Sequence, residues 1–130
     1  MFYVHVILMV TGFLLMIVGA GTAMVMRRKK WWLKIHKITG IAGTSLMVTA
    51  FAAGIIMVSQ WGSGHFRIIH AWIGIITIIL AILTPSLGML QFKIKNMTGQ
   101  LREKHRIAGR ATVIMAFITI LTGLWVAGIV

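Results

Sequence analysis

Hydrophobic residues fill four long stretches of the chain, and polar residues are concentrated in the connections between them. The stretches cover residues 3–26, 38–59, 68–90 and 107–130. Each is at least 20 residues long, and about 20 helical residues cross a hydrocarbon core about 30 Å thick. The pattern therefore predicts four transmembrane helices.

The connections between these stretches are short. Residues 27–32, 60–64 and 93–104 link one stretch to the next, and short connections make neighbouring helices antiparallel. We therefore predict an all-α fold, an integral membrane up-down-up-down four-helix bundle that forms one transmembrane domain over residues 1–130. Pro85 lies near the end of the third stretch and predicts a bend there.

Basic residues are distributed unevenly among the connections. Segments 27–37 and 93–106 carry nearly all of them, the second connection carries only Arg67, and both ends of the chain carry none. Cytoplasmic loops are enriched in Lys and Arg, so both basic segments are predicted to be cytoplasmic and both termini to lie outside the cell membrane. Trp31, Trp32 and Trp61 are placed where an aromatic belt would meet the interfaces.

The composition agrees with a protein that has a lipid bilayer as its surroundings. Of 130 residues, 59% are hydrophobic and 11% are charged, and mean hydropathy is +0.98. A soluble domain of this size could not cover its surface with so few polar groups. The net charge of +12 comes from residues that flank apolar stretches, so nucleic acid is not an expected partner.

Several kinds of chemistry are excluded by missing residue types. The chain has no cysteine, which excludes iron–sulfur ligation, thiolate zinc sites and covalently attached haem. No stretch contains Asp or Glu, and small transporters usually need an acid within the membrane. A redox cofactor would have to be held non-covalently by His or Met.

Four of the five histidines lie near the starts of the four stretches, one on each. Because chain direction alternates, His5 and His70 are predicted near the outer face, and His36 and His105 near the inner face. Neighbouring helix axes in a bundle are about 8–10 Å apart, which puts diagonal helices roughly 11–14 Å apart. That separation suits a haem iron with one histidine on each side, whereas zinc needs three or four ligands at one level. We therefore predict that His5, His36, His70 and His105 ligate two haem b groups per chain.

A glycine follows three of these histidines at a spacing of four residues. The glycines are Gly40, Gly74 and Gly109. Positions i and i+4 share one face of a helix, so a missing Cβ one turn deeper would let a flat macrocycle lie against the backbone. His5 departs from the pattern because Met9 follows it at this spacing.

Two arginines are candidates for contact with haem propionates. Arg67 precedes His70 by three residues, and Arg110 follows His105 by five. Arg110 could equally bind an anionic substrate or extend to the interface without further function. The remaining histidine, His65, is interpreted as an exposed loop residue, with a propionate contact or a proton relay as the alternative.

The chain also repeats within itself, and the repeat carries a family resemblance. His36-Lys37-Ile38-Thr39-Gly40 is similar to His105-Arg106-Ile107-Ala108-Gly109, and His5 and His70 are 65 residues apart. One helical hairpin thus occurs twice in parallel orientation. The His-x-x-x-Gly elements, and the single histidine on each of four consecutive helices, resemble the cytochrome b561 family of transmembrane electron carriers.

The resemblance implies two bis-histidine haems, one held by the first and third helices and one by the second and fourth. It also implies electron transfer across the membrane from ascorbate, a quinol or a similar small-molecule donor. The compact four-helix form resembles prokaryotic relatives, which exchange electrons with quinones or superoxide or act as subunits of redox complexes. Redox partner subunits or a homo-oligomer are therefore possible partners. The alternative hypothesis is a haem-free structural or anchor subunit of a larger membrane complex.

Overall fold

The computed structural model describes residues 1–60 and 68–129, and almost all of this part is helical. Helix α1 covers Phe2–Val25, α2 Trp32–Gln60, α3 Ile69–Lys93 and α4 Thr98–Val126, with a short 3-10 turn at Lys95–Met97 before α4. All four helices are long and apolar enough to cross a membrane. The predicted all-α four-helix bundle is confirmed.

Two helices begin well before the apolar stretches that predicted them. Helix α2 begins at Trp32 rather than near residue 38, and α4 begins at Thr98 rather than near residue 107. A helix need not end where hydrocarbon ends, because its backbone hydrogen bonds are satisfied internally on both sides of the interface. The third connection is therefore shorter than predicted, and the basic residues after residue 98 lie on a helix.

The helices form a closed ring in chain order. Helix α1 packs along α2, and α3 packs along α4, so that each pair forms a hairpin. The contacts of α1 with α4 and of α2 with α3 then close the ring, and they are less extensive. Within the described part, the backbones of diagonal helices do not come close to each other. This arrangement leaves space between diagonal helices, where the sequence predicts cofactors.

The interior of the bundle is made of small and flexible residues, and the large aliphatic residues face outward. Met47, Ala50, Ala81 and Ala116 have no exposed surface. Exposed fractions for aliphatic residues elsewhere reach 81% at Val25. An arrangement with large apolar side chains outside and Gly, Ala, Thr and Met inside is typical of helices that pack in lipid.

The first hairpin contains the closest approach between helices. A Cβ atom on Gly12 would lie 2.9 Å from the carbonyl oxygen of Gly43, and one on Gly43 would lie 2.8 Å from that of Gly12. These distances are shorter than real Cβ contacts, so no larger residue fits without a backbone shift. Small residues of this kind bring membrane helices into van der Waals contact.

Helix α3 continues through Pro85. Proline has no N–H group, so the carbonyl of Ala81, four residues earlier, loses its partner within the helix. The hydroxyl of Thr44 on α2 donates a hydrogen bond to this carbonyl at 3.2 Å. A side chain of the neighbouring helix thus satisfies the buried group that proline leaves open.

Candidate functional site

The structure brings His5 of α1 next to His70 of α3, across the ring of helices. The centroids of the two imidazole rings are 6.3 Å apart, and the ring planes are nearly perpendicular, at 88°. Two imidazoles that ligate one metal ion through Nε2 at about 2.0 Å each have centroids about 6 Å apart. The separation therefore fits a metal ion between the two rings.

The other two histidines form a second pair with nearly the same geometry. His36 of α2 and His105 of α4 have ring centroids 5.8 Å apart and ring planes at 81°. The pair lies on the other diagonal of the bundle. Each diagonal thus carries one facing pair of imidazoles, and the fifth histidine, His65, lies outside the described residues.

Each ring is held by a hydrogen bond from Nδ1 to the other helix of its own hairpin. His5 Nδ1 donates to the Ala50 carbonyl at 2.7 Å, and His36 Nδ1 to the Gly19 carbonyl at 2.8 Å. His105 Nδ1 donates to the Thr84 carbonyl at 2.8 Å. A carbonyl only accepts, so these three rings carry their proton on Nδ1 and leave Nε2 free as a ligand.

His70 is held in a related way. Its Nδ1 lies 3.3 Å from the hydroxyl oxygen of Thr122, and the backbone of Thr119 lies beside the ring. The Thr122 hydroxyl donates to the Ile118 carbonyl at 2.9 Å, so its oxygen can accept the proton of Nδ1. Such contacts behind the ring orient a metal-ligating histidine and fix its tautomer.

The same spacing recurs on all four helices. Each helix carries one histidine and, 14 residues later, a residue whose backbone lies beside a histidine of the other pair. These residues are His5 and Gly19 on α1, His36 and Ala50 on α2, His70 and Thr84 on α3, and His105 and Thr119 on α4. Fourteen residues are about four turns and about 21 Å, so both groups face the interior at two separate depths.

Glycines on the neighbouring helix lie directly against three of the rings, and the sequence did not predict them. A Cβ on Gly54 would lie 3.0 Å from His5 Nδ1, and one on Gly123 would lie 2.8 Å from His70 Cε1. A Cβ on Gly88 would lie 3.0 Å from His105 Cε1. These positions must lack a side chain if the rings are to keep their places.

The three glycines predicted from the spacing of four residues have more room. A Cβ on Gly40 would meet nothing within 4 Å, whereas one on Gly74 would lie 3.9 Å from Thr119 and one on Gly109 3.6 Å from Thr84. Gly74 also lines the large cavity beside the first histidine pair. Open space next to Gly40 and Gly74 agrees with a flat ligand against the backbone, and their contact with a cofactor stays a prediction.

The cavity beside His5 and His70 has a volume of about 640 Å³. Its lining is mainly apolar and includes Met9, Phe51 and Ile78. Volumes of several hundred Å³ with apolar walls and a few polar groups are typical of cofactor sites. The described part of the chain contains no cluster of three His or acidic side chains, so a bare metal ion would lack ligands there. A haem iron needs only two axial ligands, and the histidine pairs supply that number.

The structure describes only one of the two arginines that are predicted to contact propionates. Arg67 lies outside the described residues. Arg110 is exposed and lies on one surface of α4 with Arg102 and Arg106. Neither propionate contact is tested by these positions, and both stay predictions.

Comparison with known proteins gives one match. A family model described as eukaryotic cytochrome b561 matches residues 4–129, which include all four paired histidines. Comparisons with curated proteins and with solved structures give no significant match. Because the family match covers nearly the whole chain, the protein belongs to the cytochrome b561 family of transmembrane electron carriers that contain b-type haem.

Proposed function

We propose that the protein is a dihaem cytochrome that carries electrons across the membrane between a donor and an acceptor on opposite faces. One haem b would be held by His5 and His70, and the other by His36 and His105. The observation that carries this proposal is the pair of facing imidazoles on each diagonal, with ring centroids 6.3 and 5.8 Å apart. Bound haem supplies the reversible one-electron chemistry of its iron.

The protein's own contribution is to orient the ligands and exclude water. The hydrogen bonds from Nδ1 fix the rings of His5, His36 and His105 to backbone carbonyls. These bonds raise the basicity of Nε2 and favour the higher charge on a ligated metal. Apolar walls around His5 and His70 keep the surroundings at low dielectric, which strengthens every charge interaction there.

The two levels of ligands support transfer over most of the membrane thickness. A separation of about 21 Å between levels follows from the 14-residue spacing on each helix. The charge pattern supports an orientation with both termini outside and segments 27–37 and 93–106 in the cytoplasm. A quinol, superoxide or a redox partner subunit would then be donor or acceptor.

The haem-free anchor hypothesis makes a contrasting prediction. It expects a colourless purified protein and tolerance of substitutions at the histidines. Membership of a family of b-haem cytochromes argues against it. The four hydrogen-bonded rings argue in the same direction, because packing residues at interfaces need no uniform tautomer.

Single substitutions of the four histidines test the proposal. Each of His5→Ala, His36→Ala, His70→Ala and His105→Ala is expected to remove one haem and leave the other. A reduced-minus-oxidised visible spectrum with a redox titration would show one component lost, the same one for both members of a pair. His65→Ala is the matched control and is expected to keep both components.

Two outcomes would contradict the pairing. In the first, His5→Ala and His70→Ala would remove different components. In the second, a folded single variant would keep both haems, which would mean that the altered histidine is not a ligand. Circular dichroism of each variant separates these outcomes from a failure to fold, because the bundle is almost wholly helical in its described part.

A further inference from the structure

The first turns of α4 carry a basic groove on the outer surface of the bundle. The groove is lined by residues at helical spacing on this one helix, and it has a volume of about 350 Å³. Its lining consists of Gly99, Arg102, Glu103, Arg106, Ile107 and Arg110. The three guanidinium groups follow one another at every fourth position, about 6 Å apart along the axis.

The basic groove lies on a flank of α4 that turns away from the interior of the bundle. Residues on an α-helix are about 100° apart, so Arg102, Arg106 and Arg110 point about 60°, 100° and 140° away from His105. His105 faces His36 across the interior, and buried Leu101 and Thr112 lie on the same side of α4 as His105. The arginines are therefore directed toward the surroundings of the bundle.

The same face continues into an apolar surface. Ile114, Phe117 and Leu121 are 59%, 50% and 43% exposed, and they follow Arg110 at spacings of four, seven and eleven residues. One face of α4 thus carries cations at one end and exposed hydrocarbon along the rest. This order matches a phospholipid, which has an anionic head above apolar chains.

The length of α4 places the arginines at the level of lipid headgroups. Its 29 residues extend about 43 Å, which exceeds a hydrocarbon core of about 30 Å by about 13 Å or nine residues. The first nine residues include Arg102 and Arg106. Arg110 lies one turn deeper, and its long side chain can extend back to the interface.

The protein itself provides little negative charge for this groove. Glu103, which also lines the groove, is its only acidic residue, against 13 Lys and Arg residues. One carboxylate offsets only one of the three arginines of the groove. Guanidinium groups bind phosphate oxygens with two parallel hydrogen bonds, and a phosphate between successive arginines could contact two of them. An external phosphate group is therefore the ligand that fits the charge and the spacing.

We propose that the basic groove of α4 binds the phosphate headgroup of an anionic phospholipid, whose acyl chains lie along Ile114, Phe117 and Leu121. The site would hold the helix at a defined depth in the membrane. It is separate from the histidine pairs, since its three arginines point toward the surroundings of the bundle.

Native mass spectrometry of the detergent-solubilised full chain tests this proposal. The probes are dioleoylphosphatidylglycerol and, as neutral control, dioleoylphosphatidylcholine. The variant Arg102→Gln/Arg106→Gln/Arg110→Gln removes three charges from the groove. The control variant Lys29→Gln/Lys30→Gln/Lys34→Gln removes three charges at exposed positions of the other basic segment. We expect retention of the anionic lipid to fall about tenfold in the first variant and less than about twofold in the second.

Several outcomes would overturn the proposal. Equal loss in both variants would mean general attraction of anionic lipid to a basic protein. Equal retention of the two lipids by the unaltered chain would mean no headgroup site. Displacement of the lipid by millimolar inorganic phosphate would mean a site for small anions. A fall in haem per chain in the groove variant would mean that these arginines hold propionates. If the triple variant does not fold, Arg110→Gln alone is tested instead. A smaller loss of anionic-lipid retention is then expected.

Discussion

The two hairpins of the bundle place their histidines at matching positions and pack their helices in different ways. Residues of α1 correspond to those of α3 at an offset of 65, and residues of α2 to those of α4 at an offset of 69. At these offsets each histidine matches a histidine, and Gly54 matches Gly123. The positions between the helices differ: Gly12, Gly19, Gly43 and Ala50 correspond to Thr77, Thr84, Thr112 and Thr119.

These differences in residue type change the contacts between the two helices of each hairpin. In the first hairpin, Gly12 and Gly43 let the backbones meet. In the second, hydroxyl groups form the contacts, at 2.7 Å between Thr77 and Thr119 and 2.8 Å between Thr84 and Thr112. A second exchange follows the same offset, because Met16 and Met47 of the first hairpin correspond to Ala81 and Ala116 of the second.

The comparison separates two kinds of position. The histidines and the glycines against the rings of His5 and His70 are the same in both hairpins, since an axial ligand has narrow geometric requirements. Positions that only join helices allow either close backbone contact or hydroxyl pairs, because both are adequate in lipid. Substitutions at positions of the first kind should alter haem binding, and those at positions of the second kind should alter stability.

The largest effect is expected at the glycines that lie against the rings. Gly54→Ala and Gly123→Ala would each add a Cβ at 3.0 Å or less from the ring of His5 or His70. Displacement of either ring should reduce haem from about two to about one per chain, as measured by a pyridine haemochrome assay. Gly21→Ala is the control, because a Cβ there meets nothing within 4 Å. Unchanged haem content in both variants would show that these glycines do not position the ligands.

A smaller effect is expected at the close contact between α1 and α2. Gly12→Ala places a Cβ 2.9 Å from the Gly43 carbonyl oxygen, and such overpacking typically costs about 1–3 kcal/mol of stability. Thermal unfolding followed by circular dichroism would measure the loss. Gly99→Ala, which has open space around it, should leave the melting temperature unchanged. Equal melting temperatures for the two variants would mean that the helices can separate at Gly12 without cost.

The next effect concerns the carbonyl of Ala81, which has no donor within its own helix because Pro85 lacks an N–H group. Thr44→Val removes the hydroxyl that donates to the Ala81 carbonyl, and a lost buried hydrogen bond costs about 1 kcal/mol. Thr49→Val is the control, because that hydroxyl donates only to Ser45 of its own helix. The decisive comparison adds Pro85→Ala, which restores an N–H group and should make Thr44→Val nearly harmless. If the cost of Thr44→Val is the same with and without Pro85, the proposed link is wrong.

The smallest effect is expected from the hydroxyl pairs of the second hairpin. Thr77 and Thr119 lie within hydrogen-bond distance of each other and of carbonyls on their own helices. Two hydroxyl protons cannot make three donations at once, so the pair bond competes with the intrahelical bonds. A double-mutant cycle with Thr77→Val and Thr119→Val should give a coupling of about 0.6 kcal/mol, as for other hydroxyl pairs in membranes. Coupling above about 2 kcal/mol would contradict this competition.

The sequence predicted the number of helices, their antiparallel order and the grouping of the histidines by depth. These features depend on the lengths of apolar stretches and on alternation of chain direction, which are visible in one chain. The early start of α4 was missed because hydropathy marks only the part of a helix in hydrocarbon. Residues such as Arg102 and Lys104 were therefore assigned to a loop.

The residues that hold the histidine rings in place could not be predicted in the same way. Ala50, Gly54 and Gly123 contact rings on another helix, and the register between two helices depends on packing at positions such as Gly12 and Gly43. The sequence does contain one signal for part of this set. The offset of 69 residues pairs Gly54 with Gly123, whereas Ala50 corresponds to a different residue type, Thr119.

The most direct test of the dihaem proposal is the amount of haem b per chain in the purified protein after haem supply during expression. We expect about two haems per chain, one for each facing pair of histidines, and about one in His36→Ala and in His70→Ala. A folded protein that holds a single haem, or none, would contradict the claim that both diagonals of the bundle are cofactor sites.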